Sequence, residues 1–323
     1  MQYRRFGRMG WQVSEVGYGM WGMAGWTGSE DAESLKSLEL SVALGCNFFD
    51  TAWAYGDGHS ESLLGQLVRA HPGKKLYTAS KIPPKNRKWP SRSDYALDDV
   101  FPPDYIREYT ESSLENLGLS SLDLIQFHVW EDGWAHDERW QRAISDLKSE
   151  GLIQAAGVSV NRWEPDNVLE TLRTGLIDAV QVIYNIFDQA PGDHLFPLCQ
   201  ELDIAIIARV PFDEGTLTGK LTKDSRWPEG DWRNSYFVPD NLNASVDRAE
   251  ALRPLIPPGM DMAEMALRFI LSNPTVSTVI PGMRKPHHVK ANLAVSDGQG
   301  LDPNVLQKLR PHRWDRTPTK WSQ

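Results

Sequence analysis

The sequence predicts a (β/α)8 barrel with a β-hairpin ahead of it. Three observations predict this. Short apolar runs alternate with amphipathic stretches eight times along the chain, and strands that are apolar throughout belong to a parallel sheet covered by helices. Eight such units in 323 residues match a closed barrel. The turn after the first run reads GYGMWGMAG, not the G-x-G-x-x-G of a doubly wound dinucleotide-binding sheet.

The elements follow in order. Residues 3–5 and 12–14 form the hairpin. The first barrel strand is 15–19, and its helix, 31–44, carries Leu35, Leu38 and Val42 on one face behind a Ser29 cap. The second unit pairs strand 47–50 with helix 61–68. The third has strand 75–81 and a helix from Pro103 to Gly118, proline first and glycine past the end, as helix termini prefer. Strand 122–128 precedes helix 137–148, strand 153–159 precedes helix 165–173, and strand 179–183 precedes helix 194–202. Strand 204–210 leads through a long loop to helices 245–252 and 261–271. Strand 277–280 and the short helix 285–294 complete the set. The long loops 83–102, 130–136 and 212–243 all follow strands, hence lie at the C-terminal mouth where barrel enzymes keep their sites. No linker or repeat divides the chain, which reads as a single domain over 1–323.

Composition narrows the function. With 41% hydrophobic residues the chain can bury a large core. Its 34 Lys and Arg against 43 Asp and Glu give a net charge of −9, which argues against nucleic acid as a partner but leaves room for one local phosphate site. Cys46 and Cys199 make no disulfide framework and read as reduced, buried thiols. The N-terminus lacks the apolar core of a signal peptide, and no apolar stretch reaches the ~18 residues of a membrane span. The expectation is a cytoplasmic protein. The adjacent His287 and His288 lack a metal-ligand frame, so no metal is expected.

Four polar residues close neighbouring units at the mouth: Asp50 and, just beyond it, Tyr55 in FFDTAWAYGDG, Lys81 in TASK, and His128 in DLIQFH. Adjacent strands lie about 4.8 Å apart, so these groups converge. A tyrosine is a proton donor at neutral pH, and an ammonium beside it is expected to lower its pKa and stabilise phenolate. Asp50 would hold Lys81 charged, and His128 would orient a substrate oxygen. Such a set protonates an oxygen gaining negative charge, as carbonyl reduction requires, with hydride from a cofactor.

On these residues the chain resembles the aldo-keto reductase family along nearly its whole length, and MALRFILSNPTVSTVIPGMR echoes the family's closing segments. The resemblance implies NADPH-dependent reduction of aldehydes or ketones, with NADH as the alternative cofactor, and assigns the proton donor to Tyr55 with Lys81, Asp50 and His128 in support. It places Gly19, Met20 and Trp21 beside the nicotinamide and pyrophosphate. Ser159 and Asn161 of GVSVN, with Gln181 of VQVIYN, would hold the carboxamide; here Val160 separates the first two. ARVPFDEGTLTGK resembles the loop folding over the pyrophosphate, giving Arg209, Val210, Pro211, Phe212, Glu214, Gly215 and Lys220. Arg209 stands where the family often has an aromatic stacked under the nicotinamide. IPGMRKPHHVKAN resembles the segment gripping the adenosine 2′-phosphate, which assigns Gly282 and Arg284, with His288 and Asn292 toward the adenine.

Thirteen tryptophans call for a location. Trp21, Trp53, Trp89, Trp130 and Trp134 all fall in mouth-side loops and are expected to wall a pocket for a small apolar or aromatic carbonyl substrate, with Trp227 and Trp232 in the loop over the cofactor. Two other readings stand beside reduction. One is a cofactor-binding regulatory subunit, like the potassium-channel partners that share this fold. The other is a lyase or aldolase with a Schiff base on Lys81.

Overall fold

The computed structural model describes residues 1–25 and 29–322. The hairpin strands β1 (Tyr3–Phe6) and β2 (Trp11–Ser14) pair antiparallel, Tyr3 opposite Ser14 and Phe6 opposite Trp11. The barrel strands are β3 (Tyr18–Gly19), β4 (Phe48–Asp50), β5 (Tyr77–Ile82), β6 (Leu122–Phe127), β7 (Ile153–Ser159), β8 (Ala179–Ile183), β9 (Ala205–Arg209) and β10 (Thr278–Val279). They lie side by side in chain order, and parallel bridges Val16–Val279 and Gly19–Gly282 close the ring.

Twelve helices complete the described residues: α1 (Asp31–Ala43), α2 (His59–Ala70), α3 (Leu97–Val100), α4 (Pro103–Leu117), α5 (Glu138–Ser149), α6 (Leu169–Arg173), α7 (Leu195–Glu201), α8 (Arg233–Tyr236), α9 (Pro239–Leu252), α10 (Met262–Leu271), α11 (Pro286–Ala294) and α12 (Pro303–Leu309). Local chemistry explains several ends. Pro103 opens α4 and Gly118 closes it at φ 66°, its N–H returning to the carbonyls of Leu114 and Glu115. Asp137 and Asp261 cap α5 and α10 by accepting from Arg139 N and Glu264 N.

The hairpin plugs the N-terminal end of the barrel. Phe6 and Val13 pack with Phe48, Leu124 and Ile207, and the small Ala79, Ala155, Ala179 and Ala205 leave them room. Gly7, at φ 43°, admits no side chain, since a Cβ there would come 2.5 Å from Ala205 N. That seal leaves the other end as the open mouth.

Several element boundaries differ from expectation. The first and eighth strands shrink to two-residue ladders, because barrel closure there runs through single bridges. The sixth helix starts at Leu169, not 165. Asn167 is drawn away to the Asp132 N–H and the Glu131 carboxylate, and residues 165–168 form turns instead. Ser29 does not cap α1: Glu30 holds that position and no side chain closes the turn. The long loops carry α3 and α8, and α12 lies beyond the last expected element. Both cysteines are buried and unpaired, and burial pushes Cys46 up to about 11 and Cys199 up to about 12.

Candidate active site

Strand register brings the polar floor together. Asp50 lies opposite Ala79, two residues before Lys81, and Lys81 lies opposite Gln126. The Lys81 ammonium donates to Asp50 Oδ2 at 2.6 Å, to the Thr51 carbonyl at 2.7 Å and to the Tyr55 hydroxyl at 3.4 Å. Asp50 Oδ1 accepts from Gln181 Nε2 at 2.7 Å and Gln126 Nε2 at 3.1 Å. The side chains of Lys81 and Asp50 are only 1% and 3% exposed. Burial on that scale is sustained only when both charges are paired and hydrogen-bonded, as here.

Tyr55 reaches this floor through a tight turn. Its N–H bonds Ala52 O at 3.0 Å, and Gly56 and Gly58 follow at φ 71° and 90°. Gly58 sits in the left-handed region, and a Cβ there would also force Asn116 Nδ2, 2.3 Å away, to move. The His128 ring stands edge-on to Tyr55 at 5.7 Å, with Trp89 edge-on to His128 at 5.8 Å.

The electrostatics correct one expectation. Burial raises the Tyr55 pKa more than the Lys81 charge lowers it, so the phenol is held protonated rather than acidified. Lys81 stays charged: burial works against the ammonium, but Asp50 and Tyr55 together raise its pKa above the usual value. An ammonium so engaged is no free amine for a Schiff base. Burial, then Lys81 and Arg209, push His128 well below its usual range, leaving a neutral imidazole whose Nδ1 has no protein partner.

Above the floor opens a cavity of about 560 Å³. Asp50, Tyr55, Gln181 and Arg209 line its base. Gly19, Met20 and Trp21 form one wall, and Val210, Pro211, Phe212, Glu214 and Gly215 the opposite one. Gly282, Arg284 and His288 line its far end. Lys81 lies beneath the cavity and meets it through Asp50 and Tyr55, both of which line it.

Other expected residues lie elsewhere. Asn161 turns away from the cavity into the loops: its amide donates to the Trp130 carbonyl at 2.9 Å and to Glu164 at 3.1 Å, and its oxygen accepts from Trp130 N. Ser159 is buried in β7 without lining the cavity. Asn292 is buried on α11, and Lys220 is exposed; neither lines the cavity, although Lys220 lies near enough to help lower the His288 pKa. Trp130 is fully buried against Phe127, Trp134 and Trp140, its Nε1 donating to Thr171 Oγ1. Trp134 donates to Tyr95 O, and Trp53 to Ser112 Oγ. These three tryptophans pack loops and helices onto the barrel, and Trp89 touches His128 without lining the cavity. Of the five, Trp21 alone is a wall.

Residues the sequence reading passed over matter as well. Gln126 was legible as a polar residue inside an apolar strand, two positions before His128 and hence on the same face. Arg162 lines the cavity, pairs with Glu214 and lies 5.1 Å over the Tyr236 ring. Trp232, which the sequence placed in the loop over the cofactor, lines the cavity and meets Trp21 edge-on at 5.4 Å. The C-terminal tail reaches the rim. Arg316 donates to Asp188 and to Asp213, and its guanidinium lies 4.5 Å from the rings of both Trp163 and Trp314. No signal in the sequence marked that contact.

The comparisons with known proteins place the chain as a whole. The sequence model of the Aldo/keto reductase family matches residues 15–313. The chain belongs to the aldo/keto reductase family. It is 28% identical to the NADH-specific methylglyoxal reductase of Escherichia coli, over 87% of this chain and 89% of that one. It is equally, 28%, identical to a probable voltage-gated potassium channel subunit beta of Oryza sativa, over 96% and 95%. The glycerol dehydrogenase AKR11B4 of Gluconobacter oxydans superposes with a TM-score of 0.79 at 25% identity, over 96% and 94%. Among the described residues of this aldo/keto reductase no group of three His, Cys, Asp or Glu could hold a metal, and no helix is long and apolar enough to cross a membrane.

Proposed function

We propose that this chain reduces aldehydes or ketones to alcohols, with hydride from NADPH and a proton from Tyr55. One observation carries the reading: the buried Lys81 ammonium lies between Asp50 and the Tyr55 hydroxyl at the base of the cavity.

The residues present fit a nicotinamide dinucleotide. Gly215, Gly230 and Gly282 line the cavity where a Cβ would meet nothing within 4 Å, so backbone faces open space. At the far end Arg284 lines the cavity with His288, whose pKa is lowered by burial and then by His287, Lys220, Lys285 and Arg284. That cationic end suits a phosphate and favours NADPH; NADH is the alternative, as in the name of the E. coli relative. When bound, the dinucleotide supplies the hydride. Tyr55 passes its proton to the substrate oxygen as negative charge grows there. Lys81 stabilises the phenolate left behind, and Asp50 keeps Lys81 charged and in place. His128, neutral and edge-on to Tyr55 just outside the cavity lining, would orient the same oxygen. Gln181, which lines the cavity base, would help hold the nicotinamide. The reading extends to the whole chain as one domain acting in the cytoplasm.

Tyr55→Phe tests this. With NADPH and NADH run side by side against an aldehyde panel, the variant should lose reduction by about 10²–10⁴ while its cofactor affinity stays. Retained reduction removes Tyr55 as donor. Bound NADPH that no aldehyde oxidises in the parent favours instead a regulatory subunit, the reading for which the potassium channel subunit beta relative speaks.

A further inference from the structure

Arg209 is an uncompensated charge in the cavity. It ends β9 and lines the base together with Tyr55 and Gln181. Its Nη2 donates to Val160 O at 3.0 Å, while its Nε is buried with no protein partner. Among the described residues no carboxylate forms an ion pair with it; the two that share its surroundings are committed elsewhere. Glu214 pairs with Arg162, and Asp50 with Lys81 and the amides of Gln126 and Gln181. Burial, and then the Arg162 charge, push Arg209 down to about 10, so it remains a cation at neutral pH. A partly buried guanidinium with no ion pair and a buried Nε left unpartnered is costly to keep, and a fold that keeps one at a reaction site invites a use for it.

The use follows from the charge of the proposed cofactor, and rests on that reading. A nicotinamide is neutral when reduced and cationic when oxidised. A ring delivering hydride to a carbon whose oxygen touches Tyr55 must lie on this floor, and Arg209 is part of it. We propose that Arg209 makes the site sort its cofactor by redox state, retaining the reduced form and repelling the oxidised one. The repulsion acts over the short distance between the Arg209 guanidinium and a ring seated on the same floor. The bound couple then sits at a higher potential than the free one, since its oxidised member is selectively destabilised. Release of spent cofactor is hastened, and inhibition by oxidised cofactor is weak. The equilibrium of the overall reaction is unaltered.

The test is a fluorescence titration of the cofactor-free protein with NADPH and with NADP+. The parent should bind NADPH about tenfold or more tightly than NADP+, equivalent to about 30 mV for a two-electron couple. Arg209→Met, which keeps length and removes charge, should tighten NADP+ about tenfold and leave NADPH within about threefold. Arg209→Lys, which keeps the charge, should keep the parent ratio. The ratio is decisive, because a merely structural role would weaken both forms alike. A parent ratio near one, or a ratio unmoved in Arg209→Met, overturns this inference and leaves the proposed function standing. Binding of neither form by the parent overturns both.

Discussion

Asp50 and Lys81 meet on adjacent strands of one ladder, whereas Asp213 and Glu214 sit in a loop with left-handed backbone, φ 45° and 56°. The first pair is placed by register, with each charge answered within a few residues of a strand end. The second is held from a distance: Arg316, 103 residues further along the chain than Asp213, ties it down with Asp188. A strained conformation persists only where its surroundings over-determine it. The floor is therefore fixed by local register, whereas the rim depends on ion pairs from distant segments, Arg316 on Asp213 and Arg162 on Glu214. Under the proposed function, the chemistry falls to the floor and the cofactor contacts to the rim.

The largest effect tests the floor. Lys81→Met should leave Asp50 buried without its cation, lowering unfolding free energy by about 3–5 kcal/mol and carbonyl reduction by about 10²–10⁴. Urea midpoints and kcat/KM measure both. Adding Asp50→Asn should restore much of the stability and none of the rate; recovery of the rate would show that the pair is structural only.

A smaller effect tests the rim. Arg316→Met should raise the cofactor Kd about tenfold, or about 1.4 kcal/mol, and open the 213–236 segment to proteolysis, while single-turnover chemistry changes less than about threefold. An unchanged Kd would break the contrast, since the loop would then hold itself.

The smallest effect lies at the border between the two. Burial keeps His128 neutral well below its usual range, whereas the unfolded chain takes up that proton near pH ~6.5. The unfolded state binds more protons there, so stability falls as the pH drops below about 6.5, by at most about 1.4 kcal/mol per pH unit. His128→Gln should flatten that slope in urea melts taken on either side of this pH. An unchanged slope would assign it to other groups.

Much of this was legible because it was local. Asp50, Lys81 and His128 could be placed at one rim from the ends of apolar runs, since the period of a strand and the order of a barrel fix which groups meet. The same reasoning failed where contacts jump between loops. Trp130 and Trp134 read as mouth-side aromatics and proved to be core, because Thr171 and Tyr95 supply their indole partners from other units. Asn161 sat at a matching motif position, yet acceptors around Trp130 and Glu164 drew it away from the cavity. Tyr55 was correctly set beside Lys81, but the direction of its pKa depended on how deeply the turn buries it.

The sequence by itself determined the barrel, its hairpin and the convergence of Asp50, Tyr55, Lys81 and His128, because periodicity and strand order act over short stretches of chain. Only the tertiary structure decided the Arg316 latch, the turn of Asn161 away from the cavity and the unpaired state of Arg209. Each of these depends on which distant groups compete for the same charge or hydrogen bond, and that competition is settled only when the whole chain has packed.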